Sequence, residues 1–204
     1  MHNGASGIID FGIAKSARDG ETVTGDRHVV RSHPGGVILA VIDGLGHGEE
    51  AAAAADIAAR VVETYSGTDV VDIVTACHER LRSSRGVVMT LVSIAPATHL
   101  VTALGVGNVQ GMIVRPRDSA EEPARDFILL RGGVIGHLLP ALRPSVMQAS
   151  PGDLFVLATD GVSIEFMTEA RFTQPPEGIA ERILARHAVH TDDALVLVAR
   201  YIGE

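Results

Sequence analysis

The sequence predicts a mixed α/β (α+β) fold in which two stacked, mainly antiparallel sheets are flanked by helices. Two apolar helix patterns follow each other in the first half of the chain, and a long run of strand patterns without helices comes after them. Strands that follow one another directly are mostly antiparallel, so this order differs from the alternating pattern of a doubly wound sheet. The apolar helix faces must pack against a sheet, and the number of strands indicates that there are two sheets.

The first half of the chain predicts three strands and two helices. β-branched and apolar runs predict strands at 7–15, 27–32 and 37–42, and the third is apolar throughout, as expected for a strand buried on both faces. An Ala-rich segment with two acids in its first turn predicts a helix at 49–65. A second helix is predicted at 69–82, because its apolar residues share one helical face. These residues are Val70, Ile73, Val74, Cys77 and Leu81.

The second half is richer in strands. The pattern predicts one helix, at 178–187, and a charged, Pro-containing exposed loop at 116–126. Strands are predicted at 87–95, 99–106, 110–114, 127–130, 145–149, 153–158 and 195–201. The stretch 87–109 has no charged residue, but Pro96 and its glycines favour two strands over a membrane helix. No linker divides the chain, and we predict one domain over residues 1–204.

Composition and charge limit the classes of function. Of the 204 residues 46% are hydrophobic and 3% aromatic, so the core must be aliphatic. The 17 basic and 25 acidic residues give a net charge of -8, which disfavours nucleic acid as a ligand, because phosphate backbones require clustered Lys and Arg. The single cysteine, Cys77, excludes an internal disulfide and fits a structural role on an apolar helix face. With no signal-peptide pattern, we expect a cytoplasmic protein without membrane segments.

Four acidic turns stand beside predicted strands. They are Gly25-Asp26, Asp43-Gly44, Asp160-Gly161 and Asp192-Asp193. Converging carboxylates repel each other unless a cation neutralises them, and oxygen ligands suit Mg²⁺ or Mn²⁺ better than Zn²⁺. Asp-Gly is also a common turn dipeptide, so each pair taken alone is an ordinary turn. The hypothesis of a metal site therefore depends on the whole set and its order.

The order of these turns resembles a known family. Gly25-Asp26, DGLGHG at 43–48, a helix, TDG at 159–161 and DDAL at 192–195 are similar to the motifs of PPM-type metal-dependent Ser/Thr protein phosphatases. The sequence ALGVGNV at 103–109 resembles the SpoIIE/RsbX branch, whose members act in the stressosome pathway. The resemblance extends over about residues 7–202. It implies a four-layer α/β/β/α sandwich and the hydrolysis of phosphoserine or phosphothreonine by a metal-activated water.

The resemblance also implies which residues hold two Mn²⁺ or Mg²⁺ ions. Asp43 would bridge both ions. Asp26 and the Gly44 carbonyl would complete the protein ligands of one ion, and Asp160 and Asp192 those of the other. No covalent phosphoenzyme is needed in such a mechanism, so Cys77 is not required as a nucleophile.

Other residues near the motifs are open to two interpretations. His47 could protonate the leaving oxygen or touch phosphate, or it could be an ordinary loop histidine before a helix. Arg27 could contact phosphate, or it could be a solvated strand residue. Asp193 stands where many relatives carry Asn and is not expected to be a direct ligand. Leu195 stands where a Thr is common, a departure that concerns packing.

The leading hypothesis is a phosphatase that acts on phosphorylated STAS-domain scaffold proteins of the stressosome, as the resemblance implies. Two alternatives stay open: an inactive phosphoprotein-binding module of the same fold, and a two-metal hydrolase of small phosphate esters. The complete carboxylate set disfavours the first, since metal binding requires its ligands. Site chemistry does not separate the second alternative from the leading hypothesis, because it does not specify the leaving group.

Overall fold

The computed structural model describes residues 4–115, 123–169 and 172–203. The helices in these ranges are α1 (Glu49–Thr64), α2 (Val70–Leu81) and α3 (Pro176–His187), with short 3-10 helices at Pro96–Thr98 and Ile164–Thr168. The strands are β1 (Gly4–Ser6), β2 (Ile9–Ser16), β3 (Asp26–His33), β4 (Gly36–Gly44), β5 (Val87–Ala95), β6 (Leu100–Val106), β7 (Gln110–Arg115), β8 (Ala124–Phe127), β9 (Leu130–Arg131), β10 (Ser145–Gln148), β11 (Leu154–Ala158) and β12 (Ala194–Tyr201).

These strands form two sheets of six strands each within the described residues. The first sheet has the order β1-β2-β12-β11-β7-β8 and is antiparallel throughout. The second has the order β10-β6-β5-β4-β3, also antiparallel, with β9 beside β6 in parallel. Helix α3 packs on the first sheet, and α1 and α2 pack on the second. The predicted α/β/β/α layering is confirmed.

Strand β4 shows how the layers are joined. Successive side chains of a strand point to opposite faces. Val37, Leu39 and Val41 belong to the hydrophobic cluster between the sheets. Ile38 and Ala40 belong to the cluster beneath α1 and α2. All five are 0% exposed, so the prediction of a strand buried on both faces is confirmed.

Small residues bring α1 close to the second sheet. Its buried face is largely alanine. Gly44, at the end of β4, lies beneath the helix, and a Cβ there would stand 2.1 Å from the carbonyl oxygen of Ala51. A larger residue at this position would push α1 away from the sheet. The glycine that follows Asp43 is therefore required by packing, whatever else its carbonyl does.

The prediction of an exposed loop over 116–126 is wrong at its C-terminal end. Residues 116–122 lie outside the described residues. Ala124–Phe127 forms β8, which extends the first sheet by pairing with β7. The signal for a loop came from charge and proline, and an edge strand with one solvated face tolerates charged residues as well.

The prediction of a single strand over 127–130 is also wrong. Phe127 ends β8 in the first sheet, whereas Leu130 begins β9 in the second. Between them, Ile128 is 4% exposed and donates its N–H to the Gly111 carbonyl at 2.9 Å. The chain passes from one sheet to the other here, and an apolar run does not reveal such a change of partner.

The other predicted elements are confirmed to within two residues at either end. Strand β1 was not predicted, because a three-residue pairing gives no periodic pattern. Helix α3 begins at Pro176, two residues before the predicted start, in the first turn that proline favours. No helix among the described residues is long and apolar enough to cross a membrane.

Candidate active site

The four acidic turns meet at one edge of the sandwich, two from each sheet. Asp26 begins β3 and lies opposite Asp43, near the end of β4, in the antiparallel register. Asp160 follows the end of β11, and Asp192 precedes the start of β12, which is the antiparallel neighbour of β11. Antiparallel neighbours start and end at the same edge, so residues far apart in sequence are brought together.

An open cavity of about 400 Å³ lies at this edge. Three of the five predicted metal ligands line it, whereas Asp26 and Gly44 do not. The polar side chains on its wall include Arg18, Asp43, His47, Asn108, Asp160 and Asp192. Glycines at 46, 107, 132 and 133 complete much of the wall and keep it open. The cavity thus exposes carboxylate oxygens to solvent over a rim with few side chains.

Asp26 is held beneath the surface by a hydrogen bond that crosses between the sheets. The Thr159 hydroxyl donates to Asp26 Oδ2 at 2.8 Å and accepts from the Leu195 N–H at 2.9 Å. Asp26 is 1% exposed and Thr159 is 0% exposed. The pKa of Asp26 is raised to about 7, mainly by burial; the Thr159 hydroxyl lowers it, and the neighbouring carboxylates raise it. Sequence reasoning missed Thr159, although it stands within the TDG motif.

The pKa of Asp43 is affected by the carboxylates of all three other acidic turns. Burial, together with the negative charges of the other acidic turns, Asp26 first among them, raises its pKa to about 8. These are the two causes expected where carboxylates converge in a desolvated place. Without a nearby cation, Asp43 therefore holds a proton to a higher pH than a free aspartate does. A divalent cation would replace that proton.

Asp160 has a partner that the sequence did not predict. The Asn108 side-chain amide donates to Asp160 Oδ2 at 2.6 Å. Burial raises the pKa of Asp160, and Asp192 raises it further, while the Asn108 hydrogen bond lowers it. Asn108 lies in the ALGVGNV segment, which is the only sequence signal that could have found it.

The two acidic turns of the first sheet, Asp160-Gly161 and Asp192-Asp193, lie against each other. A Cβ on Gly161 would stand 1.9 Å from the Asp193 carbonyl oxygen, so the two turns touch through their backbones. Asp193 is not among the residues that line the cavity, and it is 4% exposed. It accepts the N–H groups of Arg18 at 2.9 Å and Gly25 at 2.7 Å. Its carboxylate thus binds backbone from the other end of the chain.

His47 and Arg27 are placed differently. His47 lies on the cavity wall, its side chain is 53% exposed, and its Nδ1 is 3.3 Å from Glu21 Oε1. Arg27 is not among the residues that line the cavity. Its Nε donates to Asp56 on α1 at 2.5 Å, and its Nη1 donates to the Thr24 carbonyl at 2.6 Å. A phosphate contact by Arg27 stays a prediction that this geometry does not favour, and the arginine on the wall is Arg18.

The chemistry of the donors fits hard divalent cations. Asp43, Asp160 and Asp192 present only oxygens to the cavity, with no thiolate, and His47 is the one imidazole on the described wall. Among the described residues no group of three or more His, Cys, Asp or Glu side chains is arranged to hold a metal ion as it stands. Carboxylates without a cation repel each other, and this repulsion opposes their close approach around an ion site. The ligand roles of Asp26, Asp43, Gly44, Asp160 and Asp192 stay predictions.

Comparison with known proteins decides the family. The family described as stage II sporulation protein E (SpoIIE) matches residues 33–202, a segment that includes three of the four acidic turns. The chain belongs to the SpoIIE family. It is a protein phosphatase, as the family match and the curated relative, a phosphoserine phosphatase, support.

Three relatives illustrate the similarity of this SpoIIE-family phosphatase. Phosphoserine phosphatase RsbX from Bacillus subtilis (strain 168) is 24% identical over 147 residues, which are 72% of this chain and 71% of RsbX. A chain in a structure described as "The bacterial stressosome: a modular system that has been adapted to control secondary messenger signaling" is 32% identical, with a TM-score of 0.84, over 94% of this chain and 99% of that one. The crystal structure of RsbX in complex with magnesium has a TM-score of 0.86 at 20% identity, over 98% of both chains.

The raised pKa values predict how stability depends on pH in the metal-free phosphatase. Between the unfolded pKa of Asp, about 3.9, and the native values of about 7 and 8 for Asp26 and Asp43, the native state binds more protons than the unfolded state. Stability therefore falls as pH rises through this range. We expect the melting temperature in EDTA to decrease from pH 5 to pH 8, with a weaker decrease in Asp43→Asn. A melting temperature that rises over this range would contradict the burial of these carboxyls.

Proposed function

We propose that this phosphatase is a metal-dependent enzyme that removes phosphate from serine or threonine of STAS-domain scaffold proteins of the stressosome, in the cytoplasm, with residues 1–204 as one phosphatase domain. The observation that carries the chemistry is the convergence of Asp43, Asp160 and Asp192 on one open cavity. The relative named phosphoserine phosphatase RsbX and the 32% identical chain of a stressosome structure support the substrate class.

The residues of the site fit two Mn²⁺ or Mg²⁺ ions, which when bound would supply an acidified water as nucleophile near neutral pH. Asp43 would be shared between the ions, because it lies opposite Asp26 and on the same cavity as Asp160 and Asp192. The Thr159 hydroxyl donates to one oxygen of Asp26 and the Asn108 amide to one oxygen of Asp160, and these hydrogen bonds would orient the two carboxylates toward a cation.

The remaining wall of the cavity would receive the phosphorylated segment. Arg18 supplies the guanidinium on the wall, and such a group pairs with phosphate oxygens. His47 reaches the same cavity, where an imidazole can donate a proton to a leaving oxygen. The glycine-rich rim leaves room for a loop of a folded protein. Aromatic residues, which would line a deep slot for phosphotyrosine, make up only 3% of the chain.

Metal removal tests the first part of the proposal. We expect EDTA to abolish hydrolysis of a phosphoprotein and added Mn²⁺ to restore it, because the nucleophile depends on the cation. Mn²⁺ should also raise the melting temperature, since it neutralises the converging carboxylates. Full activity after exhaustive chelation would overturn the metal-dependent mechanism.

Substitution of Asp43 tests its central role. Asp43→Asn keeps the size of the side chain and removes the charge that both ions would share. We expect the rate constant kcat to fall on the order of 10²-fold or more, as for a lost metal-activated water. Asp153→Asn, which changes a buried carboxylate at the end of β11 that is remote from the cavity, is the matched control and should keep kcat within a few fold. Equal and mild effects at both positions would show that the motif has been misinterpreted.

The substrate is tested by intact-protein mass spectrometry. A phosphorylated STAS-domain scaffold protein incubated with the phosphatase and Mn²⁺ should lose the mass of a phosphate, and it should keep this mass with Asp43→Asn. The comparison includes an aryl phosphate and an unrelated phosphoprotein. Rapid hydrolysis of either one beside an unchanged scaffold would retain the phosphatase and exclude the stressosome substrate.

A further inference from the structure

Asp193 connects two distant parts of the chain at the edge of the cavity. Its two carboxylate oxygens accept hydrogen bonds from the backbone N–H groups of Arg18 and Gly25, at 2.9 and 2.7 Å. Both donors belong to the segment 17–25 between β2 and β3, which we call the β2–β3 loop. The acceptor precedes β12, more than 160 positions later in the sequence.

The β2–β3 loop carries residues that the site needs. Arg18 lines the cavity, and Gly25 directly precedes Asp26. The loop has two further backbone hydrogen bonds to the surrounding turns: the Asp19 N–H donates to the His190 carbonyl at 3.1 Å, and the Gly44 N–H donates to the Gly25 carbonyl at 3.2 Å. Of these contacts, only those of Asp193 depend on a side chain and can be removed by substitution.

The geometry explains why an aspartate stands at this position. Two N–H donors require two acceptor oxygens, and a carboxylate offers both. An asparagine offers one oxygen, and its NH₂ group would face the second N–H donor. A carboxylate that is 4% exposed is costly to bury unless such hydrogen bonds satisfy it. The two contacts thus fix the β2–β3 loop at two points, next to the turn that bears Asp192.

We propose that Asp193 is a positioning residue that sets the spacing between the candidate ligands of the two sheets. It holds the loop before Asp26, in the second sheet, against the turn that carries Asp192, beside β12 of the first sheet. The side chain acts through the backbone of Arg18 and Gly25 and does not itself bind the metal. This inference rests on the metal-dependent function proposed above.

The proposal makes a specific prediction for metal affinity. We expect Asp193→Asn to raise the Mn²⁺ concentration that gives half-maximal thermal stabilisation by about tenfold, as for other residues that orient metal ligands. At saturating Mn²⁺, kcat should return to within a few fold of the wild-type value, because every ligand is still present. Mn²⁺ titrations followed by thermal unfolding measure the first quantity without any substrate.

Asp153→Asn is the matched control for loss of stability alone. Asp153 is also a buried carboxylate, 3% exposed, and accepts from the Ser150 N–H at 2.9 Å and from Arg115 Nη1 at 2.8 Å. It precedes β11, whereas the cavity lies beyond the other end of that strand. Its substitution should lower the melting temperature and leave the half-saturating Mn²⁺ concentration unchanged.

Two results would overturn the proposal. An unchanged Mn²⁺ requirement in Asp193→Asn would make the residue purely structural. Loss of activity that no Mn²⁺ concentration restores would make it a direct ligand. If Asp193→Asn does not fold, amide hydrogen exchange of the wild-type protein in EDTA decides instead: Arg18 and Gly25 should be protected, and exchange at the rate of a free loop would refute the contacts.

These measurements separate this inference from the proposed function. If Mn²⁺ stabilises the wild-type protein but no phosphoprotein is hydrolysed, the proposed function fails, while the comparison of Asp193→Asn with Asp153→Asn keeps its meaning. If the wild-type protein is active and the two variants have the same Mn²⁺ requirement, the inference fails and the function stands.

Discussion

Repulsion between carboxylates at one edge of the sandwich is the constraint around which the site is built. Burial raises the pKa of Asp26 to about 7 and that of Asp43 to about 8, and neighbouring negative charges contribute to both shifts. A fold can maintain such a cluster only if donors hold each carboxylate in place. Thr159 does so for Asp26, and Asn108 does so for Asp160. A divalent cation would neutralise the charge that these hydrogen bonds leave.

The cluster also requires that backbones approach closely. Gly44 lets α1 lie on the end of β4, and Gly161 lets two turns touch, with 2.1 and 1.9 Å between a would-be Cβ and a carbonyl oxygen. In the sequence both glycines belong to acidic turns, and the family resemblance implies a metal-ligand role for the Gly44 carbonyl. The structure assigns them a packing role that holds without any metal. The same short motifs must therefore satisfy two requirements, tight packing and ligand geometry.

The sequence predicted the layers and the set of acidic turns, and it missed the contacts between them. Apolar periodicity identified β4 and the helices, because burial on one or both faces imposes a local pattern. The passage of the chain from β8 to β9, by contrast, depends on which sheet offers a partner edge, and that is not local information. The same holds for the contact of Thr159 with Asp26 and for those of Asp193 with Arg18 and Gly25, which join residues 133 to 175 positions apart. Arg27 was chosen because it adjoins Asp26, but neighbouring residues on a strand face opposite sides, and its guanidinium meets Asp56 on α1.

The polar contacts and the hydrophobic core both join the two sheets, but they do so in different ways. The cluster between the sheets holds them face to face, but apolar packing is non-directional and allows small displacements along the strands. Hydrogen bonds from Thr159 to Asp26 and from Gly25 to Asp193 are directional, and both cross between the sheets at the cavity. A displacement of about 1 Å is enough to impair a metal site or a reactive geometry. The directional contacts therefore stand where the two sheets must be in register, at the edge where each contributes its carboxylates.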